Sequence, residues 1–467
     1  MVGSATAPGW EADLGRFLEP FLAGLSRAAQ RSWAPVYVTG LLLPGERKSV
    51  EPMAQRVAPG DVQQLHHFIS TSPWATAPLE AELVRHADRL VGGADAVLVI
   101  DDTALVKQGK HSVGVQRQYC GQLGKRANCQ ALVSLTLARH EVPVCIGLRL
   151  FLSEAWVANA EACRRAGVPE TIRERGHRSK WRIALDEIER VSGAGARFGC
   201  VLADAEYGRV AAFRHELSRR GHLWALGVPP TQKVYPAEVT LSPPPGQSSA
   251  RNGGGGGGNP RRRGGRRAKH PVPSIESVGA AKLFEALPSE AFRTITWRQG
   301  AKGPLHARFA AVRVRVADGP PLARGRHLPG NEEAWLVCEL RTSGERKYHL
   351  TSHPAETPLE TLAAQLKQRW ACEQMHQQMK EELGLDHFEG RSWIGLHHHT
   401  LMCQIAFAFL QHRRLRSEPD DGEKNRRGTI RNRTAARAVP TGSAAADQRG
   451  RAPDPAALPT LPKTLQT

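Results

Sequence analysis

Two short apolar runs, each stopping at an aspartate, constrain the fold of this chain more than any other feature. Residues 96–100 read Ala-Val-Leu-Val-Ile and are followed by Asp101, Asp102 and Thr103, while residues 198–203 read Phe-Gly-Cys-Val-Leu-Ala and are followed by Asp204. Short runs rich in β-branched residues, without a polar side to them, suit strands buried on both faces of a sheet. Further runs at 131–138 and 142–152 predict two strands after the first, a three-strand meander. A helix over 180–191, the 198–203 strand, a helix over 210–220 and a strand over 223–228 follow. Strands and helices in that order make a mixed α/β sheet with flanking helices.

The meander is preceded by a helical region, residues 1–92. Leu14, Phe17, Leu18, Phe21, Leu22 and Leu25 recur at three- and four-residue spacing, the mark of an amphipathic helix. A second helix is predicted over 78–90, and between the two lies a turn-rich stretch, 40–49, carrying Arg47 and Lys48. The α/β core occupies 93–232. Within 233–290 the composition collapses into three prolines from Pro243, six glycines from Gly253 and five arginines between Arg261 and Arg267. Such a stretch cannot offset ordering entropy by burial, so a disordered basic loop is expected. Alternation at 294–297, 310–316 and 334–338 predicts an inserted antiparallel β segment, 291–355. Core helices are expected in 356–415, one over 358–383 closed by Gly384 and one buried around 401–410, before a disordered tail, 416–467.

The chain carries 64 Lys and Arg against 45 Asp and Glu, a net charge of +19. Lys and Arg gain by displacing counterions from phosphates, so a polyanion is the expected partner. DNA is favoured over membrane, because no apolar run reaches the roughly 18–20 residues that span a bilayer. The eight cysteines form no C-x-x-C pair, which argues against zinc ribbons. Free thiols and an N-terminus without a basic-then-apolar signal point to a cytoplasmic protein.

Arg369, Glu373 and Lys380 stand at i, i+4 and i+11, within roughly 60° of one another on a helical face. A carboxylate between two cations suits a metal ion held beside a phosphate backbone, provided other carboxylates share the metal. Asp101, Asp102 and Asp204 are candidates. Hard cations such as Mg²⁺ (or Mn²⁺) take one or two carboxylates each and keep room for water and phosphate oxygens. Two ions about 4 Å apart stabilise the attacking and leaving oxygens of an in-line phosphoryl transfer. Each acid alone reads more simply as a turn former, and each cation as solvated surface. Together they favour a nuclease-type site.

Several stretches resemble the DDE transposases of bacterial insertion sequences, in particular those of the insertion sequence 701 family. They are Val-Ile-Asp-Asp-Thr at 99–103, Ser-Val-Gly-Val-Gln-Arg-Gln-Tyr-Cys-Gly at 112–121, Asn-Cys-Gln at 128–130, Ala-Asp-Ala-Glu-Tyr-Gly at 203–208, the Arg-x3-Glu-x6-Lys helix, and Glu-Leu-Gly-Leu-Asp-His-Phe-Glu-Gly-Arg-Ser-Trp at 382–393. The resemblance runs from about residue 15 to 412 outside the Gly/Arg loop. It implies an RNase H-like core in which Asp102, Asp204 and Glu373 are the catalytic triad and bind two Mg²⁺ (or Mn²⁺) ions, with Arg369 and Lys380 on DNA near the cut. Asp102 is preferred over Asp101 as the acid directly before Thr, and adjacent strand residues face opposite sides, so only one should bind metal; the other then caps the turn. The implied activity is cut-and-paste transposition on double-stranded DNA, the element's terminal repeats and its target, by a homodimer on paired ends. The N-terminal region, with Arg47 and Lys48, would help bind the repeats. The alternatives are a catalytically impaired DNA-binding protein derived from such an element, since Leu366 stands where the family pattern has Tyr, and a nuclease without strand transfer.

Lys107 and Lys110, with Arg117 and Lys125, make either a DNA-contacting hairpin or a solvated loop. His397, His398 and His399, near His387, cannot chelate one ion, because neighbours on a helix point about 100° apart; structural or DNA-facing roles are expected. Gly121 and Gly124 read as turn residues, and Trp297 and Trp370 as core rather than base-stacking aromatics.

Overall fold

The computed structural model describes residues 9–243, 270–300, 303–323 and 325–417. Residues 244–269 of the predicted basic loop and nearly all of the predicted tail lie outside these residues, whereas the two ends of the predicted loop carry regular structure, with a strand at Lys233–Pro236 and a helix at Ala280–Glu285. The chain divides into two compact units, one containing residues up to Val201 and from Gln368 onward, the other Leu202–Lys367. Both are mixtures of sheet and flanking helix, the class expected from sequence.

In the first unit, five helices precede the sheet: α1 (Trp10–Leu22), α2 (Ala28–Leu42), α3 (Val50–Val57), α4 (Val62–Ser70) and α5 (Ala77–Val91). The predicted stripe is real, for Leu14, Phe17, Leu18 and Phe21 are all buried. Helix α2 is additional to the predicted elements, and it takes in the first residues of the predicted turn-rich stretch. Lys48 is buried. Its ammonium donates to the Leu41 carbonyl, its N–H donates to His387 Nδ1 at 3.0 Å, and burial lowers its pKa to about 8. It is a packing residue of this unit rather than an outward-facing cation, while Arg47 pairs with Glu389.

The sheet of this unit contains β1 (Val97–Val106), β2 (Gln116–Cys120), β3 (Lys125–Arg139) and β4 (Val142–Leu150). β3 pairs antiparallel with β1 along one edge and with β2 and β4 along the other, so the meander is present with one extra strand. β1 does not stop at the aspartates. Its register continues from Asp101↔Ser134 and Asp102↔Val133 to Val106↔Cys129, because β3 is long enough to pair with it throughout. The acids are therefore mid-strand, and neither caps a turn.

Helices Lys180–Gly193, Trp370–Glu381 and Trp393–Ser417 pack against this sheet. Arg149 of β4 reaches Glu80 of α5 and Glu187 of the Lys180–Gly193 helix, and its guanidinium holds the Glu80 carboxyl down at about 2 despite burial. The three consecutive histidines serve packing in this unit. His398 is stacked 3.5 Å from Trp74, and His399 lies 2.9 Å from the Tyr37 hydroxyl and 3.1 Å from the Gly384 carbonyl. All eight cysteines are buried and free. Among the described residues no helix is long and apolar enough to cross a membrane.

Gly384 has φ +65°, and a Cβ there would lie 2.7 Å from the Lys48 Cβ. Its N–H closes on the Lys380 carbonyl and that of Leu385 on Met379, ending the helix as expected. Gly384→Ala should cost at least about 1 kcal/mol from the left-handed backbone and the clash together. A urea midpoint equal to wild type would contradict this.

The second unit begins inside β5 (Cys200–Ala203) and continues through β6 (Trp224–Val228) and β7 (Lys233–Pro236). The predicted inserted segment is present as strands Arg293–Gly300, Gly303–Val316, Glu333–Leu340 and Arg346–Thr351. They are not a separate module. Gly303–Val316 pairs with β7, and Arg346–Thr351 pairs with β6, so the segment continues the sheet of this unit. Trp335, Phe309, Phe284 and Phe213 fill its core.

Candidate active site

The first unit gathers charge at the middle of β1. Neighbouring residues of a pleated strand point to opposite faces, which separates Asp101 from Asp102. Asp101 faces the Trp370–Glu381 helix. Its carboxylate accepts from the Arg369 guanidinium at 2.8 Å and from the Asp102 N–H at 2.8 Å. The same guanidinium donates to Glu373, one turn into that helix. One arginine thus ties Asp101 to Glu373, residues far apart in the chain. Asp102 faces the other way, toward the helix Lys180–Gly193, and is ion-paired with the Lys180 ammonium. Of the two β1 acids, it is Asp101 that the structure brings to Glu373's side.

The predicted single helix over 358–383 is two, Leu359–Lys367 and Trp370–Glu381, with Arg369 at the N-terminal boundary of the second. Glu373 sits in the first turn of that helix, where a carboxylate complements the helix dipole. Its side chain is 52% exposed, against 15% for Asp101 and 22% for Asp102. Lys380, at the far end of the helix, donates to Gln122 at 3.1 Å. Leu366 is buried with Leu359, Leu362 and Ala363 on the preceding helix.

Asp204 belongs to the second unit and follows β5. Its Oδ1 accepts from the Glu206 N–H at 2.9 Å and the Tyr207 N–H at 3.3 Å, capping the short helix Ala205–Gly208. Glycine at 208 and 227 lets this turn lie directly on β6, since a Cβ at Gly208 would meet the Gly227 carbonyl oxygen at 1.9 Å. The turn is rigidly seated, and its second carboxylate oxygen is not used by these cap bonds.

The other predicted contacts divide. Lys107 is partly buried, its ammonium 2.5 Å from the Phe388 carbonyl, and burial lowers its pKa. Lys110 is exposed. Arg117 and Lys125 lie on the hairpin of β2 and β3. Trp370 is 39% exposed rather than core, whereas Trp297 lies under the Lys367 ammonium, 4.2 Å from the ring centre.

The donor set fits a hard divalent cation. In the first unit, Asp101 and Glu373 offer carboxylate oxygens at least partly open to solvent, where water and phosphate oxygens complete a shell. Behind Asp101 lie Cys372 and His376, whose ligand atoms fall within 4.8 Å of one another and of Asp101. Those sulfur and nitrogen donors suit softer metals, and they already bond Thr136 at 3.3 Å and Ser134 at 2.9 Å on β3. Two participants gave little sequence signal. His376 was hidden in a helical run. Lys180 opens its helix with no acid in the first turn, a placement the helix dipole disfavours.

A family profile described as DDE superfamily endonuclease matches residues 20–304. A probable transposase for insertion sequence element IS701 from Microchaete diplosiphon is 31% identical over 164 residues, which cover 35% of this chain and 39% of that protein. The matched stretch therefore spans well under half of that relative's length. Among solved structures, a piggyBac transposase synaptic complex with hairpin DNA aligns over 88% of this chain and 74% of its own at a TM-score of 0.38 and 9% identity.

Proposed function

Because the chain belongs to the DDE superfamily of endonucleases, we propose that it is a transposase that cuts DNA at the ends of an insertion sequence and joins the freed 3′-hydroxyls to a target. The observation that carries this reading is the Arg369 guanidinium shared between Asp101 and Glu373, which gives the β1 acid and the helix acid a common cationic partner. Asp101, Asp204 and Glu373 are the proposed carboxylate ligands, with Asp102 the alternative to Asp101 on β1. Bound Mg²⁺ or Mn²⁺ would supply charge neutralisation at the scissile phosphate and a water or hydroxyl of lowered pKa.

The chain's own residues do the rest. Asp204, locked by its capping bonds, keeps one oxygen directed by the turn. Glu373 holds its carboxylate at a helix N-terminus. Arg369 is poised to exchange a carboxylate for a DNA phosphate, and Lys380 and Lys110 add positive charge for the backbone. Hydrolysis comes first and strand transfer second, at the same carboxylates, in a homodimer when two ends are paired. The test is Mg²⁺-dependent cleavage of a DNA duplex carrying the element's terminus, followed by joining of pre-cut ends to a supercoiled target. Cleavage without joined product would reduce the protein to a nuclease; binding without cleavage would make it an impaired DNA-binding derivative. Arg369→Ala should weaken DNA binding and reduce the slope of log affinity against log salt by about one. An unchanged slope would remove Arg369 from the phosphate contacts.

A further inference from the structure

On the face of β1 away from Glu373, Lys180 is held in a way that packing alone does not require. It is the first residue of a fourteen-residue helix, where the dipole repels a cation and where the first turn holds no acid to compensate. Its ammonium pairs with Asp102 and lies 5.7 Å from the centre of the Phe151 ring, and both charged side chains are only 22% exposed. Asp102 is covalently next to Asp101, and its N–H already bonds the Asp101 carboxylate. A charge change at Asp102 is thus felt at the proposed metal ligands through a short, poorly screened path.

We propose that Lys180 is a positioning residue that sets the charge of the metal site: by compensating Asp102 it keeps one negative charge of the β1 acid pair from a divalent cation and so weakens metal binding. The consequence is a chain loaded only where divalent cation is abundant, with Arg369 and Lys180 as resident counter-cations in its absence. This rests on the reading of Asp101 and Glu373 as metal ligands, and the experiment separates the two.

Mn²⁺ binding to the full chain is measured by the electron paramagnetic resonance of free Mn²⁺, without DNA. Lys180→Met is expected to tighten Mn²⁺ binding about tenfold, the effect of losing one partly buried competing ion pair. Lys180→Arg should stay at the wild-type affinity, and adding Asp102→Asn to Lys180→Met should cancel most of the gain. Should Lys180→Met fail to fold, Lys180→Gln takes its place. If Glu373→Gln leaves Mn²⁺ affinity unchanged, the metal-site reading fails. If Glu373→Gln weakens binding while neither Lys180→Met nor Lys180→Gln tightens it, Lys180 is a structural ion-pair partner and the inference is overturned alone.

Discussion

Glu373→Gln is expected to abolish DNA cleavage, by about a thousandfold or more, while leaving binding to the element's end nearly intact. The change removes one charged oxygen ligand at constant shape. Losing several kcal/mol of transition-state charge stabilisation corresponds to that factor. Asp204→Asn should do the same, and because Asn caps a helix as well as Asp, the Ala205–Gly208 turn should survive it. The β1 acids divide the prediction. Asp101 shares Arg369 with Glu373, so Asp101→Asn should match the loss in Glu373→Gln. Asp102, on the other face with Lys180, should lose no more than about tenfold as Asn, through charge alone. Single-turnover cleavage of a labelled duplex, with binding measured separately, reads all four variants. The opposite order for the two β1 acids would return the ligand role to Asp102, and full activity in Glu373→Gln would remove the proposed site.

The second large effect is on stability. His376, His397 and His399 are neutral in the fold, because burial drives their pKa from the usual 6.5 to about 3 for His376 and about 4 for the other two. Nearby cations act in the same direction: Lys380 and Arg369 on His376, Arg149 on His397, and Lys107 with His387 on His399, while Glu80 and Glu187 oppose weakly at His397. His399 shows why the neutral ring is preferred. Its Nε2–H donates to the Gly384 carbonyl and its Nδ1 accepts from the Tyr37 hydroxyl, an arrangement that a second ring proton would break.

The sign follows from linkage. The unfolded chain takes up these protons near pH 6.5 and the folded chain only near 4 or below. Stability is therefore complete above pH 6.5 and is lost as pH falls toward 4, and toward 3 for His376, by roughly 3 kcal/mol each for His397 and His399 and roughly 5 kcal/mol for His376. That sum approaches the whole stability of an ordinary domain. Urea midpoints should fall steeply between pH 6.5 and 5, and His399→Gln, which keeps one donor and one acceptor, should remove one proton's share of the slope. A flat profile over that interval would mean that the rings take up their protons as readily in the fold as in the unfolded chain.

Much of this architecture was legible in the chain. The strand runs at 96–100 and 198–203, the helix at 180–191 and the alternation in 291–355 all stand where periodicity put them, because burial on one or both faces leaves a local imprint. The extent of β1 was not legible. Whether a strand ends at its first polar residue depends on its partner, and β3 continues to pair as far as Cys129. Helix α2 leaves no such imprint because its residues lack a clear polar side, and the burial of Lys48 leaves none because a lysine bonded to a backbone carbonyl does not differ in composition from a surface cation.

What the sequence by itself determined is the order of strands and helices and the supply of carboxylates and cations, since covalent order and hydrophobic period are local properties. What only the tertiary structure decided is which charge meets which. Arg369 reaches Asp101 across 268 positions of chain, and Lys180 reaches Asp102 across 78. A single step along a pleated strand reverses the face to which an acid points, so the choice between Asp101 and Asp102 depends on how helices from distant parts of the chain cover the two faces of β1.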